Sequence, residues 1–310
     1  MALTYDQISA ITKKFYIPKM IDNIFDSDPL LQRSKSDGWY TSISGGTSIM
    51  QPLMYAQLTA AGGYAPTATL DTTDNDTFTA AEYQWKYYYA NITIARSDQL
   101  KNSGDARVLN FVKNKTMAAE MTIKDIIGTD LYNVGTAANL INGLRLIVNT
   151  GNVVGGISQV TYSWWQAGNG GFDSTTATLS MAAMQAAYNS VNINGKTPTV
   201  IMATRSNYNR YYALLQPQQR FSDSKTAAGG FSSLMFNGTP VIVSPKCPAN
   251  YMFFLNEEFL NLYYHPEENF RFEPFVKPTN QNVRVGKIYW SGNLGSSNNR
   301  MHSALTAVTA

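Results

Sequence analysis

Residues able to do chemistry are few in this chain, and their spacing is poor for it. The two histidines, His265 and His302, lie far apart and form no HExxH or other paired-ligand spacing, so both read as surface or interface residues. Glu257–Glu258 and Glu267–Glu268 are adjacent pairs. Neighbours on a strand face opposite sides, which suits no acid–base couple, and both pairs read as solvated turns. The single cysteine, Cys247, excludes an intrachain disulfide framework and a cysteine-based zinc cluster. GxSxG, GxxxxGK[ST] and GxGxxG are absent. The glycine pairs at 45–46, 62–63, 155–156, 170–171 and 229–230 sit in turn contexts. Trp164–Trp165 offers ring faces for a sugar or a base, with packing the favoured reading. No catalytic, metal-binding or cofactor-binding set emerges, and the chain reads as a non-enzyme.

The elements that carry these residues are more telling. Val108, Phe111/Val112, Met117 to Ala119, Met121/Ile123 and Ile126/Ile127 recur at three- and four-residue steps, which predicts one long helix from Asp105 to about Ile127. Ser103 or Asp105 is placed to cap it and Gly128 to stop it. At 1.5 Å per residue it would span roughly 35 Å. Before it the period is strand-like. Ser48–Tyr55 and Phe78–Ile94 are extended runs joined by about twenty residues of Ala, Gly, Thr and Asp. An isolated hairpin is marginal in water, so this one is expected to lie on something, such as another chain.

The first 38 residues read as an arm of short helices, with capping-box spacing at Thr4–Gln7, Ile8, Ile11 and Phe15 at helical spacing, Pro18 in a first turn, and Asp28–Pro29 opening a third piece. After the long helix, Met181–Val191 (capped by Ser180) and Asn207–Leu215 (capped by Ser206) read as helices. Thr199–Ala203, Thr239–Ser244, Tyr251–Leu255 and Phe259–Tyr264 read as strands, an α/β subdomain. Gln216–Phe231 reads as an exposed loop. Phe270–Val276 and Asn282–Trp290 are return strands before a polar tail. The fold class is α+β.

Charged residues make up 15% of 310, against a usual ~25%, the formal charge is +3, and there are 19 tyrosines. Such a surface suits burial in protein contacts and excludes a polybasic nucleic-acid binder. The first residues lack a signal peptide's charged and apolar regions, and no window reaches ~18 consecutive apolar residues, so synthesis in a cytoplasm and no membrane partner are expected.

Taken in order, arm, long hairpin, long helix, α/β subdomain and return strands resemble the major capsid proteins of tailed bacteriophages, the Hong Kong 97 fold. The phrases Leu3–Ala10, Thr161–Trp165, Leu215–Phe221, Phe270–Phe275 and Tyr289–Leu294 resemble one capsid subfamily. The resemblance implies an N-terminal arm (1–38), an E-loop (39–95), a peripheral domain with the spine helix (96–138 and 266–310) and an axial domain (139–265). It implies hexamers and pentamers closing into an icosahedral virion shell around packaged double-stranded DNA, assembled in the bacterial host cytoplasm. A portal protein is an implied partner, and the sequence leaves open whether a decoration protein binds outside. Some relatives carry a scaffolding segment of about a hundred residues before the arm, so a separate scaffolding protein is expected here. Some relatives also cross-link a loop lysine to a neighbour's asparagine; no Lys lies between Lys35 and Lys86, so no cross-link is expected at the loop tip.

Candidate inter-subunit residues are Tyr5, Ile8, Ile11 and Phe15 in the arm and Gly62, Gly63, Tyr64, Asp71, Asp74 and Asp76 in the loop. Candidate lumen- or DNA-facing residues are Arg107, Lys113 and Lys115. Asp71, Asp74, Asp76 and Glu82 face only Lys86 in charge over 39–95, whereas 96–127 and 266–310 are each net basic. The loop is therefore expected on a neighbour's peripheral domain, with each exposed pair contributing little. Two other readings stand beside this one. An encapsulin-like compartment shell shares the fold, and a secreted β-rich adhesin or glycan-binding module would explain the Tyr, Trp and Asn content.

Overall fold

The computed structural model describes residues 28–101, 111–135, 137–168, 173–175, 178–219, 234–279, 281–306 and 308. The architecture is α+β, and the chain divides into two compact units. Among the described residues, the larger holds those of 28–88, 124–269 and 290–308, and the smaller those of 89–123 and 270–289.

The core of the larger unit is a six-stranded sheet. Its strands are β7 (Asp173–Thr175), β8 (Val200–Ala203), β9 (Met235–Phe236), β10 (Thr239–Val243), β11 (Met252–Leu255) and β14 (His302–Thr306), in the order β7-β14-β11-β8-β10-β9. β8 reads Val-Ile-Met-Ala and β11 Met-Phe-Phe-Leu, all eight residues buried, as strands covered on both faces must be. Alternation sends Ile201 and Phe254 to one face, where they meet Met184, Ala187, Val191 and Tyr211. The neighbouring Phe253 instead stacks on Tyr251 and meets the Tyr132 ring at a tilt of 50°. Each fully buried side chain of this size stabilises by roughly 1.5–3 kcal/mol.

The predicted "polar tail" is therefore wrong. β13 (Val283–Ser296) runs past Trp290, a 3₁₀ turn (Asn299–Met301) follows, and β14 pairs between β11 and β7. Leu305 and Val308 are core residues. Two polar residues of this stretch are buried with their hydrogen bonds made: Asn293 donates to the Gln84 carbonyl and Ser303 to the Ala187 carbonyl.

Helix α1 (Pro29–Ser36) has Pro at its first position and Asp28 as its cap. Helix α5 (Met181–Ser190) is capped by Ser180, as the sequence predicts, and follows the five-residue α4 (Leu144–Val148). Helix α6 (Arg205–Gln219) begins earlier than expected. Thr204, not Ser206, accepts the first-turn amide, that of Asn207, and the helix absorbs Gln216–Gln219, expected in a loop. The remainder of that loop, 220–231, lies outside the described residues.

The hairpin strands β2 (Ile49–Met54) and β3 (Phe78–Tyr83) pair antiparallel, Ile49 opposite Tyr83 and Met54 opposite Phe78. The run 78–94 is not one strand. It breaks at Gln84–Trp85, and β4 (Lys86–Ala95) joins a different sheet, ordered β1-β12-β13-β4, where β1 is Tyr40–Ser42 and β12 is Leu260–Val276. Conversely, two expected strands fuse into the seventeen-residue β12. Pro266 interrupts nothing because β1 pairs only with Leu262 to Tyr264, so its missing N–H falls beyond the ladder.

In the smaller unit Ile92, Ile94 and Ile288 are buried, and Phe272 packs edge-on against Phe275. A short helix, α2 (Arg96–Lys101), follows β4. The long helix α3 spans Phe111–Asp130, and 105–110 lie outside the described residues. Gly128 does not stop it. A Cβ there would sit 3.1 Å from Asp28 Cβ, so glycine serves the close approach of the segment entering α1.

Candidate inter-subunit surfaces

The segment entering α1 is fixed at one buried carboxylate. Asp28 Oδ2 accepts from the Leu31 amide at 3.2 Å, and Oδ1 accepts from Ser244 Oγ at 2.7 Å and Tyr132 Oη at 3.2 Å. Burial raises the Asp28 pKa, and these donors oppose the shift. The Tyr132 phenol is pushed far up by burial and by Asp28, and Cys247 beside them is also raised by burial, so this cysteine is an inert core thiol. On α1, Arg33 holds Glu257 bidentately at 2.7 and 2.6 Å, and Thr199 donates to the same carboxylate at 2.8 Å. Glu257 is buried, not a solvated turn residue; Glu258 is exposed and pairs with Lys196. Of the arm itself, Tyr5, Ile8, Ile11 and Phe15 lie outside the described residues.

The hairpin is anchored at its root and bare at its tip. Tyr83 Oη donates to the Ser296 carbonyl at 2.8 Å and accepts from the Ser296 amide. The Glu82 amide donates to the carbonyl of Gly155, in the turn between β5 (Val153–Val154) and β6 (Ile157–Ser158). Gly155 has φ +60°, and a Cβ on it would lie 2.6 Å from Ala81 Cβ. The pair at 155–156 is thus a close-approach turn, as its turn context suggested. Beyond the root, Met54 is 70% and Phe78 73% exposed. The loop 55–77 closes through Asn75, which accepts from the Thr59 amide and hydroxyl and donates to the Gln57 carbonyl. Gly62, Gly63, Tyr64, Asp71, Asp74 and Asp76 are all exposed. Asp71 accepts from the Thr73 hydroxyl and amide, and these bonds lower its pKa.

Sequence reasoning missed a groove beside this root. It encloses about 480 Å³ and is lined by Met50, Tyr55, Phe78, Tyr162, Trp164, Asp76 and Glu82 among others. Tyr55 and Trp164 stand 5.4 Å apart. Trp165, by contrast, is core, its indole donating to the Val154 carbonyl. The signal was visible only as scattered aromatic residues, since strand pairing brings 50–55, 76–82 and 155–164 together.

On α3, Lys113 is exposed and Lys115 Nζ donates to the Thr93 carbonyl at 2.7 Å; Arg107 lies outside the described residues. His265 is half-buried, accepts from the Gly45 amide and meets Trp85 edge-on. His302 corrects the surface expectation. It is wholly buried, neither ring nitrogen has a partner within hydrogen-bond geometry, and burial drives its pKa down to about 3, tempered only by the Phe259 backbone. Among the described residues no group of three or more His, Cys, Asp or Glu is placed to hold a metal ion, and no helix is long and apolar enough to cross a membrane.

No protein-family model matches the chain, and no curated protein matches it. Solved structures do. A chain of the cyanophage A-1(L) capsid asymmetric unit aligns over 99% of this chain and 100% of its own, with a TM-score of 0.72 at 17% identity. The capsid of the native GTA particle aligns over 100% of both chains with a TM-score of 0.68 at 11% identity. An encapsulin complex from Synechococcus elongatus aligns over 100% of this chain and 97% of its own, with a TM-score of 0.61 at 11% identity. The chain has the fold of these capsid and encapsulin chains, the one its sequence phrases resemble.

Proposed function

We propose that this chain is the major capsid protein of a tailed bacteriophage, a structural subunit that forms hexamers and pentamers and closes an icosahedral shell around double-stranded DNA. The observation that supports the reading is the match to the cyanophage capsid chain, which covers 99% of this chain and 100% of the other. The exposed loop 55–77 supports it. Some twenty residues with little packing of their own are ordered at an entropic cost that a neighbour's surface offsets. Repeated around a shell, weak single contacts add through multivalency.

In this reading 1–38 is the arm, 39–95 the E-loop, 96–138 with 266–310 the peripheral domain and 139–265 the axial domain. The arm residues and the loop residues Gly62 to Asp76 meet neighbouring copies, and Arg107, Lys113 and Lys115 face the DNA through weak, sequence-independent contacts. A separate scaffolding protein and a portal are the partners, and the shell forms in the host cytoplasm. With no lysine between Lys35 and Lys86, the loop tip forms no amide cross-link; a covalent ladder mapped to the tip on a denaturing gel contradicts this.

The encapsulin match gives the second reading, a compartment shell around protein cargo. The lower TM-score ranks it second. Nucleic-acid analysis of particles purified from a native source separates the two: packaged DNA and a portal vertex support the phage head, and protein cargo without DNA the compartment.

A further inference from the structure

The groove at the hairpin root differs in chemistry from the rest of the exposed surface. Its rings, Tyr55, Phe78, Tyr162 and Trp164, stand with Met50 around two carboxylates, Asp76 and Glu82, and its described lining holds no lysine or arginine. Phe78 and Tyr162 are exposed, so the rings are not consumed by the chain's own core. Such a wall fits a cation carried on an apolar or aromatic stretch. An ammonium over a ring is attracted by the negative ring face, and a carboxylate in reach adds a charge-assisted hydrogen bond.

The stretch 1–27, outside the described residues, contains one segment of that chemistry. All its lysines fall within Lys13–Lys19, which reads Lys-Lys-Phe-Tyr-Ile-Pro-Lys and has no acidic residue. A second groove, of about 300 Å³ around Trp85, Tyr87, His265, Glu267 and Glu268, is the poorer seat. It is smaller, and its Trp85 indole already donates to the Gly46 carbonyl; Glu268 there and Glu82 in the larger groove, which accepts from Gln84 Nε2 at 3.0 Å, are each already engaged within the chain. We infer that the hairpin-root groove is a docking site for Lys13–Lys19 of a second copy of this chain. The lysines pair with Asp76 and Glu82, and Phe15 and Tyr16 lie on the exposed rings. The inference rests on the shell reading only in requiring that copies meet.

The test uses the full chain with Cys247→Ala, which removes its single, buried thiol. Tyr16→Cys and Thr79→Cys are introduced singly and together, oxidised mildly and run on a non-reducing gel. The expected result is a ladder of oligomers in the double variant, at least tenfold above both single variants. A fast-migrating cross-linked monomer means the groove takes the chain's own segment and overturns the second-copy seat. No species above the single-cysteine controls overturns it outright. A charge swap guards against a trivial loss. Lys13, Lys14 and Lys19 changed to Glu, or Asp76 and Glu82 changed to Lys, each lower oligomer yield severalfold, and their combination restores it. Absence of loss or of restoration contradicts the seat. Closed shells without a ladder overturn this seat alone, and a ladder without closed shells overturns the shell reading alone.

Discussion

Ser244 donates a 2.7 Å hydrogen bond to Asp28 across 216 positions of chain, tying the start of α1 to the residue that follows β10. The same carboxylate caps α1 and accepts from Tyr132, so one buried side chain serves three elements. Asp28→Ala removes the cap and leaves two buried hydroxyls without their acceptor. It is expected to destabilise the fold by about 3–5 kcal/mol. Asp28→Asn keeps an acceptor oxygen and is expected to cost about 1 kcal/mol. Urea unfolding of the three proteins checks this; equal losses for Ala and Asn contradict the assignment.

The two glycines of the β5–β6 turn separate strain from crowding. Both have positive φ, +60° at Gly155 and +77° at Gly156, but only Gly155 faces Ala81 and Tyr83, while Gly156 faces open space. Gly156→Ala should cost about 1 kcal/mol and Gly155→Ala about 2–4 kcal/mol. Denaturation midpoints give the order, and hydrogen exchange at the Glu82 amide should rise only for Gly155→Ala. Equal costs contradict the close-approach account.

His302 makes stability depend on pH in a fixed direction. Its folded pKa, about 3, lies below the ordinary 6.5, so between those values the unfolded chain binds a proton that the folded chain refuses. Its contribution is intact above pH 6.5 and is lost as pH falls toward 3, at up to about 1.4 kcal/mol per pH unit. Asp28 and Asp130 have raised folded pKa values and act in the opposite sense, favouring the folded state as they protonate. Unfolding from pH 7.5 to 5 should therefore weaken the wild type, and His302→Leu should remove about one proton of uptake from that slope. An unchanged slope contradicts it.

The acidic loop should act between copies and not within one. Asp71, Asp74 and Asp76 are exposed, and no described basic side chain pairs with them by an ion pair. Changing all three to Asn is expected to leave the isolated subunit's unfolding unchanged. It should lower the melting temperature of assembled particles at low salt, with the difference fading as salt rises. Equal behaviour of wild-type and variant particles at every salt concentration contradicts the loop-on-neighbour account.

The fold was legible where local pattern and burial agree. Ser180 before an alanine-rich stretch marks α5, and the apolar runs 200–203 and 252–255 mark two central strands. It was illegible where tertiary pairing overrides local signals. Pro266 looks like a strand end but lies past its partner's last residue, Gly128 looks like a helix stop but admits Asp28, and the polar end of the chain closes a sheet. The bare loop was readable from its small-residue composition. The groove at its root was not, because it is assembled from three segments that pair only in the folded chain. His302 and Glu257 were misread as surface groups for the same reason, since their burial comes from strands distant in sequence.

The central claim is that copies of this chain close into a shell. Electron microscopy of the purified full chain, alone and with a candidate scaffolding protein, measures it directly. The expected result is closed shells of uniform size with pentamers at the vertices and hexamers between them, resolvable in class averages. A dispersed monomer under all assembly conditions contradicts it.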